Sequence, residues 1–329
     1  MVRCVRVPRN DAESVRSELV LNGLLDKTHR IRSDGDDVLI PIHGGCSHRY
    51  RIEEHDLEEL EQKETDYRNL LSMDAELKDK LPTSFDVIGD VAVIKIPDVL
   101  TGYRNDIGAA VMRTVNVRTV MMDSGVKGDL RVRELEQIAG SGTSETVHKE
   151  YGVRLSVDPS KVYFNPRLAT ERMRIASMVK GGEVIVDMFA GVAPFPAVIC
   201  KHADPSTVYA VDLNPEAKAF MERNILMNKT NNIVPITGDI RDVKDRLPKA
   251  DRVIMNLPQS AFDFLPEALS ISKAGGTIHL HRIQSEPDPE EMVKKAKELG
   301  HKVSIETITE LKSYSPTSAV YVYDIRVIS

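Results

Sequence analysis

The sequence predicts an α/β protein: a doubly wound, Rossmann-like sheet in the C-terminal half, preceded by a small α+β domain and an extra N-terminal α/β domain. Three observations predict it. Beyond residue 180, apolar runs of strand length alternate with amphipathic helical stretches, the rhythm of βαβ units. The run VIVDMFAGVAPFPA (184–197) reads as a strand, a glycine turn and a helix. A chain of 329 residues also exceeds one ordinary core, so two or three domains are expected.

In residues 1–65, CVRVP reads as a strand and DAESVRSELVLNGLL as an amphipathic helix capped by Asn10 or Asp11. HRIRSD and DVLIPI follow as short strands around Asp34-Gly35-Asp36. The charged stretch from Glu53 to Pro82 is expected to be a solvated helix, with 66–81 as a linker. In residues 82–168, FDVIGDVAVIKI predicts two strands about a Gly-Asp turn, and TGYRNDIGAAVMRTV a helix. VRTVMM, LRVRELEQIAG, TVHKEYGVRLSVD and VYFNP then read as further strands of a largely antiparallel sheet. In residues 169–329, strands EVIVDMF, TVYAVDL, NIVPITGD, DRVIMNLP and GTIHLHRI are interleaved with helices, and KVSIETITE and SAVYVYDIRVI close the sheet.

Composition bounds the function classes. With 41% hydrophobic and 29% charged residues, the chain is that of a globular protein. There is no apolar run of about 18 residues, and the stretch MVRCVRVPRND lacks the apolar core of a signal peptide. A cytoplasmic location without membrane contact is expected. Three cysteines, Cys4, Cys46 and Cys200, are odd in number and far apart, which argues against a disulfide framework. The net charge of −6 does not exclude a phosphate-bearing partner, because arginines cluster in 3–32 and basic residues again in 127–180. Exposed charges act over about 8–10 Å, so a local basic face counts for more than the sum.

In an open parallel sheet, ligands sit beyond the carboxyl ends of the strands. Asp187, Asp212 and Asp239 stand at three successive strand ends, and Gly191 follows the first. Each aspartate alone reads equally well as a cap or turn residue; three together point to a nucleoside-bearing cofactor, with Asp212 on ribose hydroxyls and Asp239 on an adenine amino group. Ala193 replaces a second glycine, which weakens a dinucleotide reading; S-adenosylmethionine has no diphosphate to cradle, so the departure counts little against it. Asn256-Leu257-Pro258 ends the fourth strand; the amide offers both a donor and an acceptor to a nucleobase edge. In YFNPRLATERMRIA (163–176), Pro166 starts a helix that brings Arg167, Glu171 and Arg174 together, on its own an ordinary ion-pair helix. His43, Cys46 and His48 have no evident fourth metal ligand, and His279 and His281 read as structural, so no metal is expected.

VDMFAGVAPF, VDLNPEA, TGDIRD, NLPQSA and above all VYFNPRLATER resemble the archaeal and eukaryotic tRNA (guanine-37-N1)-methyltransferase family. The resemblance covers about 82–329 and implies a class I S-adenosylmethionine methyltransferase domain over 169–329. It implies a general base at Glu171, an arginine at Arg131, with Arg133 as second choice, to stabilise charge on guanine O6, and Asn256 and Pro258 shaping the base pocket. Arg172 is implied as partner of the cofactor's methionine carboxylate. Asp187, Phe189, Gly191, Asp212, Leu213, Asp239, Ile240 and Asn256 complete the cofactor set. Tyr163, Arg133 and Arg167 are the substrate-binding residues. The partner is then tRNA, met at its anticodon loop and, through residues 1–65, at its outer corner by a monomeric enzyme. Asn165 stands where the family commonly has serine. The rivals are the aminocarboxypropyl transferase of wybutosine-type tRNA modification, an exocyclic-amine methyltransferase, disfavoured by Leu257 in place of an aromatic, and a non-catalytic tRNA-binding protein.

Overall fold

The computed structural model describes residues 1–45, 47–60, 64–128, 130 and 132–329, and of Lys127 the backbone alone. The chain divides into two compact units, Met1–Asp66 and Tyr67–Ser329.

In the first unit, β1 (Val2–Pro8) is followed by α1 (Ala12–Leu21), β2 (Arg32–Asp34), β3 (Asp37–Pro41) and β4 (Ile52–His55). They form a sheet of order β2-β3-β1-β4, antiparallel throughout. Gly35, at φ +64°, makes the β2–β3 turn that Asp-Gly-Asp signals. Val5, Val7 and Ile40 from the strands bury against Val15 and Leu19 of α1. The start of the charged stretch is strand β4 rather than a helix. Arg6 on β1 holds Glu53 at 3.0 Å and Asp37 at 3.3 Å, so these acids pair across the sheet.

The second unit begins with α2 (Ala75–Lys78), β5 (Asp86–Ile88), β6 (Val91–Ile94), α3 (Arg104–Thr114), β7 (Thr119–Lys127) and β8 (Val132–Gly140). The sheet order is β5-β6-β7-β8, with β6 and β7 parallel and the outer pairs antiparallel. Residues 67–81 are not a solvated linker here. Tyr67, Leu71 and Leu81 are buried with Leu100, Ile107 and Val111 in one cluster, because apolar residues are spaced through an otherwise charged stretch.

TVHKEYGVRLSVD forms two strands, β9 (Thr146–Glu150) and β10 (Val153–Val157), instead of one. Tyr151 and Gly152 both take positive φ, 43° and 75°, the geometry of a two-residue hairpin turn. VYFNP is not a strand either. Val162 and Phe164 are buried, which mimics strand alternation, but the segment pairs with no strand among the described residues. The remaining elements are α4 (Ala169–Met178), β11 (Val184–Asp187), α5 (Pro194–His202), β12 (Thr207–Asp212), α6 (Pro215–Asn228), β13 (Ile233–Thr237), α7 (Ile240–Val243), β14 (Ala250–Met255), α8 (Leu265–Ile271), β15 (Ser272–Gln284), α9 (Pro289–Glu298), β16 (Val303–Ser315) and β17 (Ser318–Val327).

Seven strands form the large sheet, in the order β13-β12-β11-β14-β15-β17-β16. Strand order reverses between β11 and β14, and β17 inserts antiparallel between β15 and β16. One apolar cluster runs from Ile88 and Val93 through Val153 and Leu155 to Ile185, Val208 and Phe220. The boundary expected between 168 and 169 therefore falls inside a shared core. Among the described residues, no helix is long and apolar enough to cross a membrane.

Candidate active site

The carboxyl ends of β11, β12, β13 and β14 open onto a cavity of about 460 Å³, at the point where strand order reverses. Gly191, at φ +55°, leads the chain from β11 along its wall, and a Cβ there would stand 3.0 Å from the Tyr163 carbonyl oxygen. Glycine eases both the left-handed conformation and the close approach. Ala193, where a second glycine was missing, sits at φ +62° in the same left-handed region.

Asp212 accepts from the Gly191 amide at 2.6 Å and from the Asn214 amide at 2.9 Å. Burial raises its pKa despite these two bonds. Beside it, Leu213 is 48% exposed and lines the cavity with Phe189 and Ile240, an apolar strip suited to a flat ring. Asp239 caps α7 through the Arg241 amide and pairs with the Arg241 side chain, whose hydrogen bond holds its pKa below the usual carboxylate range. The Arg241 guanidinium in turn lies 5.1 Å from the Phe264 ring centroid. Arg241 and Phe264 were not read from the sequence, although Arg241 follows Asp239 closely enough to have signalled it.

Asn256 lines the cavity, and its buried Oδ1 has no hydrogen-bond partner among the described residues. An orphaned amide oxygen in a wall rich in acceptors suits a ligand that brings donors. The loop behind it is tied down, since the Pro258 carbonyl accepts from the Ile283 amide at 2.9 Å and the Leu257 carbonyl from Ala261 at 2.7 Å. Tyr163 lines the cavity on another side, and Gly128 and Leu130 of the β7–β8 loop reach it as well. Arg131 lies outside the described residues, as does Cys46 of the His43–His48 motif.

Asp187 does not reach the cavity wall. It is wholly buried beneath the loop, with Oδ1 accepting from the Phe189 amide at 3.3 Å. Burial, the opposing Phe189 bond and the nearby Asp212 carboxylate together leave its pKa pushed up to about 8. Arg172 is a further correction. Its guanidinium is fully buried and bidentate with Glu150, 2.6 Å on both arms, between the Phe164 and Phe195 rings. It locks β9 to α4 and is not placed to meet a cofactor carboxylate, because a closer carboxylate of the protein already holds both its arms.

Glu171 is 3% exposed and is not part of the cavity wall. Arg174 holds both its oxygens, at 2.7 and 2.8 Å, and also grips Asp324 at 2.7 and 3.1 Å. His281 Nε2 stands 3.6 Å from Glu171 Oε1. Burial would raise the Glu171 carboxyl, but the bonds from Arg174 and the contact with His281 outweigh it and hold it below its ordinary value. Asp324 also accepts from His279 at 2.6 Å. Arg167 is drawn away from Glu171 by Asp86, at 2.7 Å, and Arg133 pairs with Asp86 and Asp123 at 3.1 and 3.4 Å.

The family model described as the TRM5/TYW2 methyltransferase domain matches residues 146–308. The TYW2 N-terminal domain matches 67–143, and the tRNA methyltransferase 5 N-terminal domain 4–50. The chain is 42% identical over 334 residues to tRNA (guanine(37)-N(1))-methyltransferase Trm5b of Pyrococcus abyssi, covering 99% of each. It is 33% identical over 234 residues to tRNA(Phe) (4-demethylwyosine(37)-C(7)) aminocarboxypropyltransferase of Methanocaldococcus jannaschii, covering 70% of this chain and 92% of that one. The solved complex of aTrm5 and tRNALeu matches with a TM-score of 0.74 at 34% identity, covering 99% of both chains.

Proposed function

The chain belongs to the TRM5/TYW2 methyltransferase family, and we propose that the crevice over β11–β14 is where it carries a methyl group from S-adenosylmethionine to N1 of guanine 37 in tRNA. Full-length likeness to a guanine-37 methyltransferase supports methyl rather than aminocarboxypropyl transfer, as does the match of a tRNA methyltransferase 5 domain to residues 4–50. The observation that carries the reading is the orphaned Asn256 Oδ1 in a cavity that also holds Asp212 and Asp239.

S-Adenosylmethionine supplies an electrophilic methyl group when bound. Asp212 and Asp239 are the residues for its ribose and adenine donors, with Leu213, Phe189 and Ile240 against the ring. Asn256 Oδ1 accepts from the donor edge of guanine, and Pro258 fixes the loop that presents it. Guanine N1 is not nucleophilic until its proton leaves, and Glu171, held ionised, is the base. Arg174 must yield one carboxylate oxygen for this, and its bond to Asp324 keeps the guanidinium paired while Glu171 takes the proton. Charge left on O6 calls for a cation. Arg133 already answers two carboxylates, which favours Arg131 for that role. Tyr163 stacks on the extruded nucleotide, whose release from an unpaired loop costs less than from a duplex.

The unit Met1–Asp66 serves the outer corner of the tRNA, and the enzyme works as a monomer in the cytoplasm. Tritium transfer from labelled S-adenosylmethionine to an unmodified transcript with G37, beside a G37-to-A transcript, tests the reading. Label on the first alone, recovered as 1-methylguanosine, is the expected result. Label on both would move the target elsewhere, and label on neither would favour the aminocarboxypropyl reaction or a binding protein.

A further inference from the structure

The β16–β17 hairpin, read in the sequence as two plain closing strands, ends beside the crevice. β16 runs parallel to β15, so its turn stands at the carboxyl end of the sheet, on the same side as the cavity. A row of backbone partners fixes its position. The Pro258 carbonyl accepts from Ile283, Ile283 pairs with Val320, and Val320 pairs with Lys312. Two residues beyond Lys312, the Tyr314 hydroxyl accepts from the Gln259 side-chain amide at 3.3 Å, and Gln259 lines the cavity.

Two features of this tip suit a ligand arriving from solvent. Tyr314 is 55% exposed at a strand end, an aromatic face offered to solvent beside the pocket mouth. Lys312 is half-buried beside Arg167, Arg133 and Asp86. Burial first, and then the Arg167 guanidinium, hold its ammonium below the usual lysine range. Arg133, Arg167 and Lys312 face Asp86 and Asp123, which leaves this group with one more cation than anions. An incoming phosphate would relieve that excess.

We propose that the hairpin tip is a contact for single-stranded RNA: Lys312 and Arg167 seat a backbone phosphate of the strand that delivers the target base, and the Tyr314 ring stacks on an unpaired base beside it. The proposal rests on the crevice being where a tRNA base is methylated, and it adds the hairpin tip to the residues proposed to meet that RNA. Charge and an exposed aromatic together are what an unpaired loop needs, since phosphate contacts position the strand and stacking accepts any base. Continuity with the cavity through Gln259 and Pro258 selects RNA over an acidic protein as the occupant.

Binding of an anticodon stem-loop RNA, carrying 2-aminopurine next to guanine 37, tests this with the full-length protein. Tyr314→Ala is expected to weaken binding about tenfold and to abolish the stacking quench, with S-adenosylmethionine affinity unchanged and Tyr314→Phe close to wild type. Lys312→Ala is expected to lower the slope of log affinity against log salt by about one. Unchanged affinity, quench and salt slope in both variants would overturn the proposal. Wild-type protein that binds the RNA without methylating it would refute the proposed reaction, while the hairpin is still judged by the same binding data. No RNA binding by the wild type would overturn both.

Discussion

The crevice wall at the ends of β11–β14 and the ion network under α4 are built on opposite principles. The wall holds one neutral acceptor without a partner among the described residues, Asn256 Oδ1, near the carboxylates of Asp212 and Asp239 and the half-exposed Leu213. Under α4 the charges are closed upon one another: Arg172 with Glu150, and Arg174 shared between Glu171 and Asp324. A single neutral acceptor can be left without a partner in a binding wall, at a cost of about 1–3 kcal/mol. A buried base cannot, because an unpaired charge in the interior is expensive. On the proposed mechanism Glu171 is kept ionised by Arg174 and must exchange that partner to act as the base.

Arg172→Ala gives the largest effect and tests the closed side. Leaving the buried Glu150 with His148 alone beside it, at 3.5 Å, should cost about 3 kcal/mol of stability, read as a lowered Tm. Intact stability with lost S-adenosylmethionine affinity would instead return Arg172 to the cofactor site. Asn256→Ala probes the open side. Its Oδ1 has no partner among the described residues, so Tm should hold while single-turnover methyl transfer falls about hundredfold. A large fall in Tm would show that Asn256 belongs to the closed class.

Asp187 cuts across the comparison, being buried yet unpaired on one oxygen. Its pKa rises from 3.8 to about 8 on folding, so its contribution is fully present below pH 3.8 and is lost as the pH climbs towards 8. Asp187→Asn removes that loss. Denaturant titrations across this window should show the variant gaining on the wild type as pH increases, and parallel curves would refute the assignment. The smallest effect is expected at Ala193. Relief of a left-handed alanine, worth about 1–2 kcal/mol, is offset by the loss of a buried methyl worth about 0.8 kcal/mol. Ala193→Gly should therefore change stability by about 1 kcal/mol or less, in the stabilising direction.

These two regions also differ in how legible they were. The parallel strands announce themselves by apolar runs, and the aspartates and Asn256 by standing directly at the ends of those runs, so the wall could be read along the chain. The ion network could not. Glu150 meets Arg172 and Asp324 meets Arg174 only after the strands carrying the acids are brought against α4, and neither separation has a local signature. Local alternation also misled. Val162 and Phe164 bury like strand residues yet pair with no strand among the described residues, and the Tyr151-Gly152 turn lacks the Asn-Gly or Asp-Gly pair that marks most such hairpins. Residues 67–81 carry enough charge to hide the three side chains that anchor them.

The central claim is that Glu171, for all its enclosure, removes the guanine proton. The most direct measurement is single-turnover methyl transfer by Glu171→Gln, with S-adenosylmethionine and tRNA affinities measured on the same protein. The rate is expected to fall about hundredfold or more with both affinities retained. A rate near that of the wild type, with the same pH dependence, would contradict it and leave Glu171 as no more than an anchor for Arg174.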